Sequence, residues 1–327
     1  MARSALLRPD VLVLAGGGIV GEAWMHGVLA GLEDAGGADF REVEAYVGTS
    51  AGSIVAARLA SGRRPPRPGR TSARHAAPGF ADEVAADDEP PVSPPADGDA
   101  GAGAARSPVR DVVRDAARLG WAASAPLTGA ALAISAPAGA LARAAVLGRA
   151  AGRGHPLTQL ESRVARWGAR FDGRLRVCAV DRRSGRRTVF GAPGAPTATV
   201  AEAVCASCAI PWVFSPVTIG DREYVDGGAW SVTNLDAARV GRGTHVLCLD
   251  PAAGLGGRDR RTAALRSALR LASSLEIQGL RRRGAHVLHI APDPRAAGAM
   301  GPNYMAPSRA APALAGGYAQ GRRLAAA

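Results

Sequence analysis

The stretch Val43 to Ala60, VEAYVGTSAGSIVAARLA, decides the fold. A strand-like segment, Val43 to Val47, runs directly into Gly48-Thr49-Ser50-Ala51-Gly52. The Gly-x-Ser-x-Gly pattern marks a sharp strand-to-helix turn that lifts a serine hydroxyl above the end of a sheet. The glycines Gly48 and Gly52 are needed because a Cβ there would collide with the adjoining strand and helix. In a chain rich in alanine and glycine, five small residues recur by chance, so the run gains its meaning from two others. Gly16-Gly17-Gly18, with Gly21 beyond it, follows the apolar strand Val11 to Ala15. Asp226-Gly227-Gly228 follows a short strand that ends at Val225. A nucleophile, a set of backbone N–H donors and a candidate base are therefore all present.

Working outward, the first sixty residues read strand, glycine loop, helix, strand, serine turn, helix. The helix, Ile19 to Ala35, carries Val20, Trp24, Val28, Leu29 and Leu32 at helical spacing, so one face packs inward. This order predicts an α/β fold: a three-layer α/β/α sandwich around a central, mostly parallel sheet. After Pro156 a helix is expected over Leu157 to Trp167, strands over Leu175 to Val180 and Thr188 to Phe190, and a helix over Thr199 to Ala206. Short strands fall near Val217 and Tyr224. His245 to Leu249 and His286 to Ile290 have the composition of buried strands, with an arginine-rich helix, Thr262 to Arg283, between them. Ala310 to Leu324 closes the chain as a helix.

Between these parts the composition changes. Residues 62 to 108 mix prolines with small and charged residues and almost lack apolar ones, which predicts a disordered insertion. Residues 109 to 154 are alanine-rich and are expected to form a helical cap. Within them, positions 119 to 142 carry no charge, a length that meets the criterion for a membrane span. Pro126 and Pro137 interrupt that run, however, and peripheral helices at the site mouth or at a bilayer surface fit it better. The catalytic unit is then expected in residues 8 to 61 and 155 to 327.

Composition sets further bounds. All 40 basic residues of the 327 are arginine, against 28 acidic ones, for a net charge of +12. Solvated helix faces and loops account for the arginine clusters, and peripheral attraction to anionic lipid surfaces is the alternative. Nucleic acid is discounted, because aromatics make up only 4% of the chain and do not alternate with the arginines. The four cysteines, including Cys205-Ala206-Ser207-Cys208, read as small buried residues rather than a disulfide framework or a metal site. No metal and no cofactor is expected. The N-terminal apolar run is too short for a secretory core, which leaves a cytoplasmic location as the expectation.

The order Gly-Gly-Gly-x-x-Gly, Gly-Thr-Ser-Ala-Gly-Ser, Ala209-Ile210-Pro211 and Asp-Gly-Gly resembles the patatin-like phospholipases, over roughly residues 10 to 60 and 155 to 327. The resemblance implies a serine–aspartate dyad without histidine: Ser50 as nucleophile, Asp226 as base and Gly16 to Gly18 as the oxyanion loop. It implies a lipid or acyl-ester substrate. Two positions depart from the family pattern. Val20 stands where many members carry arginine, and Asn234 is followed by Leu235 and Asp236 rather than by x-Pro.

Three rivals make distinct predictions. Gly16-x-Gly18-x-x-Gly21 also fits a dinucleotide fingerprint, with Glu42 or Glu44 about twenty residues on as the ribose acid. Ser50, Asp226 and His289 fall in the chain order of an α/β-hydrolase triad, although His286 and His289 read as strand residues and His26 as a helix-face residue. A lipid-surface binding protein without turnover is the third.

Overall fold

The computed structural model of the chain describes residues 7–69, 137–149, 154–254 and 260–326. Most of the predicted insertion and most of the predicted cap fall outside these residues. Strands are β1 (Val11–Leu14), β2 (Ala45–Thr49), β3 (Leu175–Asp181), β4 (Arg187–Phe190), β5 (Val217–Ile219), β6 (Arg222–Asp226), β7 (His245–Leu249) and β8 (His286–Ile290). They form one sheet in the order β5-β6-β3-β2-β1-β7-β8, with β4 paired to β3 off this path. The pairings β3-β2-β1-β7-β8 are all parallel, and β4, β5 and β6 add antiparallel partners.

β1 is the short all-apolar run VLVL, buried along its whole length, as a central strand of a parallel sheet must be. Its alternation divides the interior. Leu12 and Leu14 enter the larger core with helices α1 (Gly18–Gly36), α2 (Ala51–Ala60), α5 (Val200–Cys208) and α8 (Ala310–Ala326). Val11 and Val13 enter the core on the other face, with Leu280 of helix α6 (Arg260–Arg282). Helices on both faces give the expected three layers. Of the remaining helices, α3 (Pro137–Arg149) docks on the hairpin between β3 and β4, Arg143 Nε donating to the Gly185 carbonyl at 2.8 Å. α4 (Thr158–Ala165) packs on α5, and α7 (Pro294–Met300) on α8. α5 opens on a capping box in which Thr199 and Glu202 satisfy each other's backbone donors. α7, which the sequence pattern does not announce, is opened by the Asp293 side chain on Ala296 N at 2.8 Å, with proline at its first position. None of the described helices is long and apolar enough to cross a membrane.

The detail that positions the site is the crowding around β3. β4 pairs with residues Val177 to Val180, overlapping β2's partners at Val177 and Cys178 and β6's partners at Ala179 and Val180. A strand has two edges, so β2 and β6 share the edge that β4 does not use. They meet end to end: Thr49 lies opposite Cys178 and Asp226 opposite Ala179. The serine turn and the aspartate turn, 176 residues apart in sequence, are thereby brought to adjacent rungs of one ladder.

α1 and α8 are in backbone contact. A Cβ on Gly317 would overlap the Trp24 carbonyl, and one on Gly27 would lie 2.7 Å from Tyr318 N. Trp24 Nε1 then donates to Gln320 Oε1 at 3.0 Å across this contact. Gly317→Ala is expected to force the helices apart and destabilise the fold by about 1–3 kcal/mol, the range for overpacking. Thermal unfolding should show a drop of roughly 2–4 °C per kcal/mol.

Candidate active site

Ser50 occupies the single residue between β2 and α2, with φ 50 and ψ −126. That positive-φ conformation costs a non-glycine residue on the order of 1–3 kcal/mol and is held only where the surroundings over-determine it. Here they do. Ser50 N donates to Ser207 Oγ at 2.8 Å, and Ser207 Oγ donates onward to the Cys178 carbonyl at 2.6 Å. The Ser50 carbonyl receives both Ser53 N at 2.8 Å and Ser53 Oγ at 2.7 Å. A Cβ on Gly52 would overlap the Leu14 carbonyl, so the turn sits directly on the end of β1.

Asp226 ends β6. Its backbone N–H donates to the Ala209 carbonyl at 2.9 Å, and its Oδ1 accepts Gly228 N at 2.7 Å. The Ser50 side chain is close enough to the carboxylate to lower its pKa. Burial pushes the Asp226 pKa up to about 7, and the bonds from Ser50 and Gly228 only partly oppose it. A Cβ on Gly227 would overlap the Cys178 carbonyl, so both halves of the pair rest on the same residue of β3.

Asn234 fastens the two turns together. Buried and left-handed at φ 47, it donates through Nδ2 to Thr49 Oγ1 at 3.0 Å and to the Gly227 carbonyl at 3.4 Å. Its Oδ1 accepts from Arg187 Nη1 at 3.0 Å, and Arg187 also forks onto Asp236 at 2.5 and 2.8 Å. Glu276 of α6 supports the same loop, accepting Thr233 Oγ1 at 2.6 Å and Leu235 N at 2.8 Å. The sequence pattern presents Ser207 only as a small residue between two cysteines, and it carries no signal for Glu276. It marks Asn234 only through the departure at Leu235 and Asp236.

The glycine loop closes β1. Gly16 N–H is already committed to the Val232 carbonyl at 3.0 Å, which removes it from the three predicted donors. Gly18 has φ 59 and opens α1, where backbone N–H groups and the helix dipole favour negative charge. Val20 N donates to the Tyr304 carbonyl at 3.1 Å, which ties the loop to the segment before α8.

The same geometry disposes of two rivals. In a dinucleotide site the glycines let a pyrophosphate approach, and the acid lies at the end of β2 beside them. Here Pro251 and Tyr304 fill that approach: a Cβ on Gly17 would meet Pro251 at 2.8 Å, and one on Gly18 the Tyr304 carbonyl at 2.7 Å. Glu42 and Glu44 precede β2, at the opposite end of the sheet from the loop. The triad fails because His289 Nε2 is bonded to Asp250 at 3.0 Å, at the ends of β7 and β8, and not to Asp226. His26, expected on a helix face, is buried in α1, 3.9 Å from Glu22.

A family model for patatin-like phospholipase matches residues 12–239. The chain belongs to the patatin-like phospholipase family. It is accordingly a lipid acyl hydrolase. Among solved structures, VipD from Legionella pneumophila is similar, with 16% identity and a TM-score of 0.44 over 98% of this chain and 67% of that one. No curated protein sequence matches the chain.

The buried carboxyl has a consequence for stability. An acid whose folded pKa is raised from 3.8 to about 7 favours the fold below pH 3.8, and that contribution is lost as pH rises through 7. Ionised Asp226 therefore costs on the order of 4 kcal/mol at pH 8. Asp226→Asn, which keeps an acceptor for Gly228, should unfold at a higher temperature than wild type at pH 8. The difference should close below about pH 4. Equal melting temperatures at pH 8 would contradict this account.

Proposed function

We propose that this patatin-like hydrolase cleaves lipid carboxylic esters through an acyl-Ser50 intermediate, with Asp226 as the proton acceptor. The observation that carries the proposal is the meeting of a strained serine turn and a buried carboxylate, whose pKa has moved to about 7, at adjacent rungs of β3. A serine hydroxyl is a weak nucleophile until a neighbour accepts its proton, and an ordinary carboxylate is a weak base. Raising the carboxyl toward the working pH narrows that mismatch.

Ser50 Oγ attacks the ester carbonyl carbon while its proton passes to Asp226. The carbonyl electrons move to oxygen, and the amides of Gly17 and Gly18 at the start of α1 receive the resulting oxyanion. Collapse breaks the bond to the alcohol oxygen, which leaves with the proton from Asp226. Water then adds to the acyl-serine by the same route, returning a proton to Ser50 and releasing a fatty acid. The catalytic unit is residues 8–61 together with 155–327, within which all eight strands of the described residues lie.

A panel of acyl esters tests the proposal. Ser50→Ala and Asp226→Asn should each lose at least about 10³-fold in kcat/KM, while His289→Ala stays within about tenfold of wild type. Because the base must be ionised, kcat/KM should rise with pH, about tenfold per unit below pH 7, and level off above it. A flat profile from pH 5 to 8, or a loss of about 10⁴ at His289, would overturn the dyad.

A further inference from the structure

The segment that supports both members of the dyad ends at the surface in a strained tryptophan. Ser207 holds the Ser50 amide, and two residues later the Ala209 carbonyl holds the Asp226 amide. The chain then turns, the Ile210 carbonyl accepting Val213 N at 3.1 Å and Phe214 N at 2.9 Å. At the head of this turn Trp212 has φ 68 and is 38% exposed. It lies three residues past Ala209, so at most about 11 Å of chain separates it from the contact with Asp226.

Two unfavourable features coincide at this residue. A bulky side chain at positive φ is an outlier, and glycine would occupy the position without strain. The ring is also among the few large apolar side chains left exposed in the described residues, with Leu141, Leu271 and Leu275. Its neighbours Ile210 and Val213 are only partly buried, which extends the apolar patch. Strain that persists beside a reactive site points to a use for the side chain. The patch consists of one exposed indole ring beside two partly buried aliphatic side chains. It suits a lipid–water boundary, where tryptophan is favoured because its ring is apolar and its N–H polar.

We propose that Trp212 inserts into the surface of aggregated lipid and seats the enzyme so that an acyl ester reaches Ser50. This rests on the acyl-hydrolase reading of the dyad, and the test separates the two. Sedimentation with vesicles of phosphatidylcholine and phosphatidylglycerol is measured on Ser50→Ala protein, so that turnover plays no part. Adding Trp212→Gly should weaken vesicle binding about tenfold or more, while adding Leu271→Ala on α6 should not. In the Ser50 background, Trp212→Gly should lower the ratio of vesicle turnover to turnover of a monomeric short-chain ester about tenfold. Its melting temperature should be no lower than that of wild type, because glycine relieves the backbone. Unchanged sedimentation with Trp212→Gly, or an equal loss with Leu271→Ala, would overturn the proposal. Absence of turnover on both substrates would instead refute the dyad, and sedimentation would still decide the role of Trp212.

Discussion

Everything at the candidate site depends on β2 and β6 sharing one edge of β3. β2 runs parallel to β3 and β6 antiparallel, so their C-terminal ends face each other. The residues at those ends, Ser50 and Asp226, have no room to be elsewhere. A shift of one residue in either register would turn its side chain to the other face of the sheet and separate the pair. The site is therefore protected by backbone pairing more than by any contact between the two side chains themselves.

The surrounding side chains hold that arrangement from several directions. Cys178 is the common floor: its carbonyl takes the Ser207 hydroxyl and blocks any Cβ at Gly227, while its own thiol is pushed up to about 12 by burial. Asn234 bridges from Thr49 to Gly227, and Arg187 holds Asn234 in turn. Arg187 and Arg143 also lie over the Trp230 ring, at 5.4 and 4.2 Å from its centroid, which ties α3 to the loop after Asp226. Strain at Ser50 and buried charge at Asp226 are both unfavourable in isolation. They persist because the hydrogen bonds of Ser207, Ser53 and Asn234 would be lost if either relaxed.

Much of this is legible in the chain, for local reasons. The strands His245–Leu249 and His286–Ile290 match their predicted bounds because continuous apolar runs between turns leave few alternatives. Gly48 and Gly52 announce the turn because small residues are required wherever backbones touch. Relations between distant segments are what the chain conceals. Nothing in Arg187–Phe190 says which edge of β3 it takes, yet that choice brings β2 and β6 together. Ser207 sits in a helix whose other residues are alanine, valine, glutamate and cysteine, and its role is defined by an amide 157 positions away. The dinucleotide alternative is equally local. It is resolved by which end of β2 carries Glu42 and Glu44, a property of the assembled sheet and not of spacing.

The course of α2 has a quieter consequence. It starts at Ser50 and runs back along the sheet, so the chain leaves it at the pole opposite the dyad. There Arg64 and Arg67 are fastened to Glu33 at 3.3 and 2.7 Å, and Arg67 also reaches Asp34 at 2.8 Å. That clasp fixes where the next stretch departs, whatever its length, far from the reacting groups. The far end of α2 is thus secured by ion pairs and its near end by the backbone bonds of the serine turn, so the helix is held at both poles by independent means.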